Sequence, residues 1–433
     1  MSSALFHAIY ASTVFVVAYV LITTERFNKT KVALAGATLM FFLPLISSED
    51  VFYSRTTGVN WDVLFLLLGM MIIVSVVRQT GAFEYLAIWS AKRAKGSPLR
   101  IIILLMLVTA LGTAVLDNVT TVLLIAPVTL LVCDRLAINP APFLVIEALT
   151  ANIAGAATLV GDPTSIIIGT GAHLSFIEFS ANMAPAVLLV LVALIAILPR
   201  LYPGFFVADP ERVADVMSLD EREVIRNPRL LLQCAIVLSL VFAGFVLHRT
   251  IHMEPSMVAM AGAGILIVTS GIDREFYLGS VEWETLLFFA GLFVMVGALV
   301  RTGVIKELAQ VASNFAHGDA WTATMLILTI SFTIGSVINN VPYAAAMTPI
   351  VGQFADSIPG HASSGVLWWA LLLGTVLGGN LTMVGASANI VAVGIAQRSG
   401  HPVSFWDFTK RGVVVTAMSF VISLSYLWLR YFA

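Results

Sequence analysis

Four short polar interruptions break otherwise apolar sequence: Asp117-Asn118 with Thr120-Thr121, Gly161-Asp162-Pro163-Thr164-Ser165, Asn339-Asn340-Val341-Pro342, and Gly385-Ala386-Ser387-Ala388-Asn389. Amides and hydroxyls can hydrogen-bond a small polar solute, and an intramembrane carboxylate can hold a cation or carry a proton. A lone Asn or Asp at such a place often only caps a helix. Four interruptions of matched kind point instead to a binding site, within which single residues still serve as caps. Hydrolysis would need a Ser/His or Ser/Lys pair, paired carboxylates or a His-Glu-x-x-His string at membrane depth. No His-Glu-x-x-His string occurs and the aspartates lie in neither a Tyr-Asp nor a Gly-x-Gly-Asp context, so an enzyme is not expected, nor is a cofactor. Cys133 and Cys234 lie far apart and in no Cys-x-x-Cys or Cys/His spacing, so neither zinc nor a disulfide is expected.

The elements that must position these residues are membrane spans. The chain has 433 residues, 59% apolar and 11% charged, against about 25% charged in a soluble domain. A helix crossing the bilayer needs roughly 20 apolar residues. Ten such runs occur, at about 5–23, 30–47, 61–79, 142–170, 180–201, 229–247, 255–271, 281–300, 366–397 and 412–429. The first has no basic residue before it other than His7 and no small-residue cleavage site, so it reads as a retained span rather than a signal peptide. A net charge of −2 argues against nucleic-acid binding. Stretches 100–136 and 320–356 are interrupted by Asp117-Asn118 and Asn339-Asn340. They read as re-entrant hairpins, whose tips must face protein or water because lipid cannot satisfy free backbone groups. Runs 142–170 and 366–397 contain the other two interruptions and read as discontinuous helices, with Gly and Pro ending one half-helix before the next.

The chain is also a repeat. At an offset of 222, WDVLFLLLGMMIIVSVVRQTGAFEYLA (61–87) lies over WETLLFFAGLFVMVGALVRTGVIKELA (283–309), matching Trp61 with Trp283 and Gly69 with Gly291. The same offset matches Asn118 with Asn340 and Pro127 with Pro349. At 224, GAATLVG (155–161) lies over GNLTMVG (379–385). Each half therefore holds five spans, the fourth of them a broken helix, and one hairpin. Five is odd, so the second half enters the membrane with opposite polarity, as in many secondary transporters. The expected organisation is a first repeat over 1–201 (hairpin 100–136, broken helix 142–170), a cytoplasmic linker over 202–228, and a second repeat over 229–433 (hairpin 320–356, broken helix 366–397). With both termini outside, 18 of the 23 Lys and Arg residues fall on the cytoplasmic side, as the positive-inside rule requires. The two aspartates break the symmetry: Asp117 is matched by Asn339 and Asp162 by Ala386, which marks both acids as coupling candidates. Glu147 is a weaker candidate, expected near the membrane interface.

The strings WDVLFLLLGMMIIV, LDNVTTVLLIAPVT, ANIAGAATLVGDPTSIIIG and GGNLTMVGASANIVAVGIA resemble the ion transporter superfamily, in the branch holding arsenite efflux permeases and the melanosomal P protein. The resemblance spans nearly the whole chain outside the linker. It implies an inner-membrane protein with a scaffold and a transport domain, and homodimers are common in the wider superfamily. It places ion and substrate contacts at Asp117, Asn118, Thr120 and Thr121; at Gly161, Asp162 and Thr164; at Asn339 and Asn340; and at Gly385, Ser387 and Asn389. The chain departs from the branch where GDPPN is replaced by Gly161-Asp162-Pro163-Thr164-Ser165. It also lacks the Ser-Asn-Thr signature of the dicarboxylate and citrate branch, which argues against a carboxylate substrate. The function the resemblance implies is proton-coupled efflux of arsenite or antimonite, with Asp117 or Asp162 carrying the proton. The alternative is sodium/proton antiport or sodium-coupled anion transport. The chain has no nucleotide-binding motif, so an ATP-driven mode would need a separate ATPase partner.

Overall fold

The computed structural model describes residues 3–24, 26–42, 45–54, 57–95, 97–203, 224–356, 358 and 361–433. Most of the expected linker (204–223) lies outside the described residues, as do Arg55, Arg212 and Arg222 of the charge tally. The described chain forms ten helices, then ten more in the same order. The first half holds α1 (Ser3–Thr23), α2 (Lys29–Phe42), α3 (Ser48–Tyr53), α4 (Trp61–Arg78), α5 (Ala82–Arg93), α6 (Pro98–Val115), α7 (Asn118–Leu136), α8 (Ala141–Gly155), α9 (Pro163–Gly171) and α10 (Phe176–Leu201). The second holds α11 (Pro228–Ile251), α12 (Pro255–Thr269), α13 (Arg274–Gly279), α14 (Trp283–Arg301), α15 (Val304–Ala316), α16 (Ala320–Val337), α17 (Asn340–Asp356), α18 (His361–Gly378), α19 (Ser387–Arg398) and α20 (Phe405–Tyr431). Among the described residues, nine helices are long and apolar enough to cross a membrane, and three shorter apolar helices accompany them. The protein is an all-α polytopic membrane protein built from two inverted repeats.

Local chemistry fixes the helix starts. Proline opens α6, α9, α11 and α12, where its missing N–H costs nothing. Asn60, Asp117, Asp162, Ser175, Asp319 and Ser404 each accept a backbone N–H in the first turn of the helix that follows. The apolar runs alone do not reveal α5 and α15. These connectors lead into the hairpins, and α15 buries only Ile305, Ala309 and Ala316. The first hairpin's arms are nearly equal: α6 has 18 residues and α7 has 19, so α6 alone is about 27 Å long.

The halves grip each other reciprocally. α4 packs on α12, and α14 packs on α2. Thr30 Oγ1 donates to Glu284 O at 2.9 Å, while Ser256 Oγ donates to Asp62 Oδ1 at 2.8 Å. The two bonds join equivalent helix pairs, one to a backbone carbonyl and the other to a side-chain carboxylate. Gly69 sits so close to α12 that a Cβ would lie 2.8 Å from Ala259 C, and Gly291 so close to α2 that one would lie 2.9 Å from Ala33 C. Small residues of this kind let membrane helices approach closely. The exchange recurs around the hairpins: α7 packs on α19, and α17 packs on α9. Each returning hairpin arm therefore lies against the half-helix of the opposite repeat. At the ends of α4 the two membrane faces are distinct. One face holds Asp62, Ser256 and the ion pairs Asp50–Arg301 (2.7 Å) and Glu178–Arg249 (3.2 Å). The other holds Thr80, whose carbonyl accepts Arg226 N at 3.2 Å.

Candidate functional site

The crossed packing brings both hairpin tips to one carboxylate. Asp162 is fully buried and caps α9, with Oδ1 accepting Thr164 N at 2.7 Å. Its other oxygen, Oδ2, accepts Asn118 Nδ2 at 2.6 Å from the first hairpin and Asn340 Nδ2 at 3.4 Å from the second. Asn118 opens α7, Asn340 opens α17 and Ser387 opens α19. Three helix N-termini, those of α7, α9 and α17, thus meet at the Asp162 carboxyl, each equivalent to roughly half a positive charge. Gly385 joins them through its carbonyl, which accepts Asn340 N at 3.0 Å.

The two broken helices fold back in the same way. Thr158 Oγ1 donates to Ala114 O at 3.0 Å, and Thr382 Oγ1 donates to Ser336 O at 2.8 Å. Each bond ties a break to the end of its own hairpin's first arm. Gly161 and Gly385 lie beneath those arms: a Cβ would meet Thr113 O at 2.7 Å and Ser336 O at 2.9 Å respectively. The glycines recur at matched positions because nothing larger fits.

The remaining sequence-predicted residues divide between hub and cap. Asn389 is buried and braces its own break, donating to Gly379 O and Thr382 O at 2.9 Å each. Asn339 Nδ2 reaches Ser387 Oγ at 3.4 Å, linking hairpin tip to half-helix. Asp117 serves as a cap: Thr120 N and Thr120 Oγ1 donate to its two oxygens at 2.8 and 2.6 Å. Thr121 Oγ1 donates to Asp117 O at 2.8 Å, a bond within the helix. Asp117 is only half-buried, and it lies within electrostatic reach of both Asp162 and Glu282. The three acids thus form a file from the hub toward the end of α14 that carries Glu282. Thr164 is fully buried beside the Asp162 carboxyl that its backbone N–H binds.

Two residues central to the arrangement are absent from the sequence reading. Asn152 on α8 accepts Asn118 Nδ2 at 3.1 Å and donates to Asn380 Oδ1 and Asn389 Oδ1, both at 2.8 Å. Asn380 in turn donates to Leu149 O at 3.4 Å. Both are fully buried, so an unbroken amide chain runs from Asn118 across the repeat boundary to Asn389. Their one signal is an amide inside an apolar run, and neither has an Asn at the matched position of the other repeat. Glu147 also departs from expectation. It is fully buried, not interfacial, and accepts Thr129 Oγ1 at 2.5 Å.

The four breaks close on one another through direct hydrogen bonds rather than lining an open cavity. A cavity of about 990 Å³ lies beyond them, on the face holding Asp62, Arg249, His252 and Ser256. None of the twelve predicted residues lines it. Its floor includes Leu159 and Ile167, which flank Asp162 in sequence.

Residues 19–374 match the citrate transporter family CitMHS. The chain is 58% identical over 425 residues to a Mycobacterium tuberculosis protein described as an uncharacterized transporter, covering 98% of this chain and 99% of that one. It is 30% identical over 492 residues to the P protein of Mus musculus, covering 94% of this chain and 58% of that protein. The arsenite-permease side of the resemblance rests on the sequence strings alone. Among solved structures, the YdaH transporter of Alcanivorax borkumensis aligns with a TM-score of 0.57 at 13% identity, covering 97% of this chain and 98% of that one. MtrF of Neisseria gonorrhoeae, described with a class of antimetabolite efflux pumps, aligns at 0.57 and 12%, covering 87% and 82%. These structures share the fold. The extent of the family match and the inverted architecture together make this chain a member of the citrate transporter family CitMHS and a secondary transporter of the membrane.

Proposed function

We propose that the protein exports a small, uncharged, hydroxylated inorganic acid, arsenite or antimonite, in exchange for a proton, with Asp162 and Asp117 as the coupling acids. The observation that carries this reading is the sharing of Asp162 Oδ2 by an amide from each repeat. A proton arriving there weakens both bonds at once and frees Asn118 and Asn340 for a substrate. None of the twelve site residues is basic. A multiply charged carboxylate would find no cationic side chain among them, whereas a neutral triol can bond amides and hydroxyls without giving up a charge's hydration. An uncharged solute feels no membrane potential, so uphill export requires a coupled ion. Arsenite uptake into everted vesicles tests this: it should depend on a pH gradient and be lost in Asp162→Asn. Uptake that ignores the gradient sinks the reading.

One observation favours a second reading, sodium coupling. Asp117 interacts with both Asp162 and Glu282, and three acids so placed would attract a cation. Transport that follows sodium rather than pH would select it.

A further inference from the structure

The proposed coupling uses Asp117 and Asp162, yet the membrane core holds a third acid. Glu147 lies midway along α8 and is fully buried. Its Oε1 accepts the Thr129 hydroxyl from α7, and its Oε2 has no hydrogen-bond partner among the described residues. Among the described residues no salt bridge involves it. Helices α6, α7, α10, α18 and α19 pack on α8. On them, Arg100, Asp134, Arg135, Glu178, Arg200, His361 and Arg398 stand within the first or last three residues of their helices. The titratable group that interacts with Glu147 is Cys133, one turn from Thr129. One turn along α8, the Thr150 hydroxyl is also fully buried and unpartnered. Like Asp117 and Asp162, Glu147 has no acid at the matched position of the second repeat, where Leu371 stands.

An ionised carboxylate enclosed in this way, with one hydrogen bond and no cation, would carry an uncompensated buried charge, which is strongly destabilising. Binding a proton removes that charge. The helices around Glu147 are also those of the amide chain: α7 carries Asn118, α8 carries Asn152 and α19 carries Asn389. Any rearrangement that parts those amides also changes the surroundings of Glu147. We infer that Glu147 is a further proton-binding site of the transporter at the α7–α8 contact. It takes one proton from water on Oε2 and returns it to water when these helices rearrange.

Infrared spectroscopy of the purified full-length protein in lipid tests the first step without any substrate. At neutral pH the wild type should show a carboxylic-acid C=O band that is missing from Glu147→Gln and kept in Asp162→Asn. Should Glu147→Gln fail to fold, Thr129→Val decides, because losing its hydrogen bond must shift the band. A spectrum unchanged by both Glu147→Gln and Thr129→Val, or by Thr129→Val where that variant alone can be read, overturns the assignment. Proton release is read in proteoliposomes holding a pH dye under an arsenite gradient. Wild-type proton movement should fall to background in Glu147→Gln; undiminished movement overturns the release step. Wild-type vesicles without arsenite-driven proton movement would count against the proposed substrate alone, and the infrared band would still decide Glu147.

Discussion

At the scale of single residues, the amides of the hairpin tips differ in what they hold. Asn118 gives Asp162 a 2.6 Å bond and Asn340 a 3.4 Å bond. A hydrogen bond to an ionised partner contributes about 1.5–3 kcal/mol, and a long one much less. Asn118→Ala should therefore lower the melting temperature in detergent more than Asn340→Ala; the reverse order would show that the tips are not held as described. Asp117 plays two separable parts. As a cap, its loss in Asp117→Ala should cost about 1 kcal/mol, whereas Asp117→Asn, still a good cap, should cost a few tenths. If Asp117 also couples transport, Asp117→Asn should abolish gradient-driven uptake while the melting temperature barely moves. Full uptake in that variant would leave Asp117 as a cap only. The sequence shows these acids and amides because they interrupt apolar runs. It hides Asn152 and Asn380 because a single amide within a hydrophobic helix carries no sign of which amide faces it across 228 residues.

At the scale of elements, recurring glycines mark where helices touch. The match of Gly69 with Gly291 is visible in the sequence, but its reason appears only in the fold, where each glycine faces the backbone of α12 or α2. Gly69→Val and Gly291→Val should each push apart one of the two reciprocal helix pairs. Overpacking of this kind typically costs 1–3 kcal/mol, read as a comparable loss of melting temperature in both variants. A loss in only one would break the two-fold equivalence. The hairpins and broken helices were legible from interrupted hydrophobicity and from proline. The connectors α5 and α15 were not, because they are segments between spans too short and polar to register as membrane runs. Nor does an interruption show whether it faces an open cavity or another interruption. Here the breaks meet directly, and the large cavity lies beyond them.

At the scale of the molecule, the first claim we propose is orientation, with both termini outside and Thr80 inside, on the distribution of Lys and Arg. In a variant lacking Cys133 and Cys234, Glu254→Cys should react with a membrane-impermeant maleimide added to intact cells, while Lys410→Cys should react only after lysis. The opposite pattern would invert the transporter. The second claim, on which the mechanism depends, is that tips from oppositely oriented repeats meet at one carboxylate. It is tested most directly by pairing Asn118→Cys with Asn340→Cys in the same cysteine-free background, with a protease site inserted in the 204–223 linker. After reaction with a short bifunctional thiol cross-linker and cleavage the halves should stay joined, as should those of an Asp62→Cys/Ser256→Cys control. Halves that separate in the first pair while the control stays joined would contradict the account.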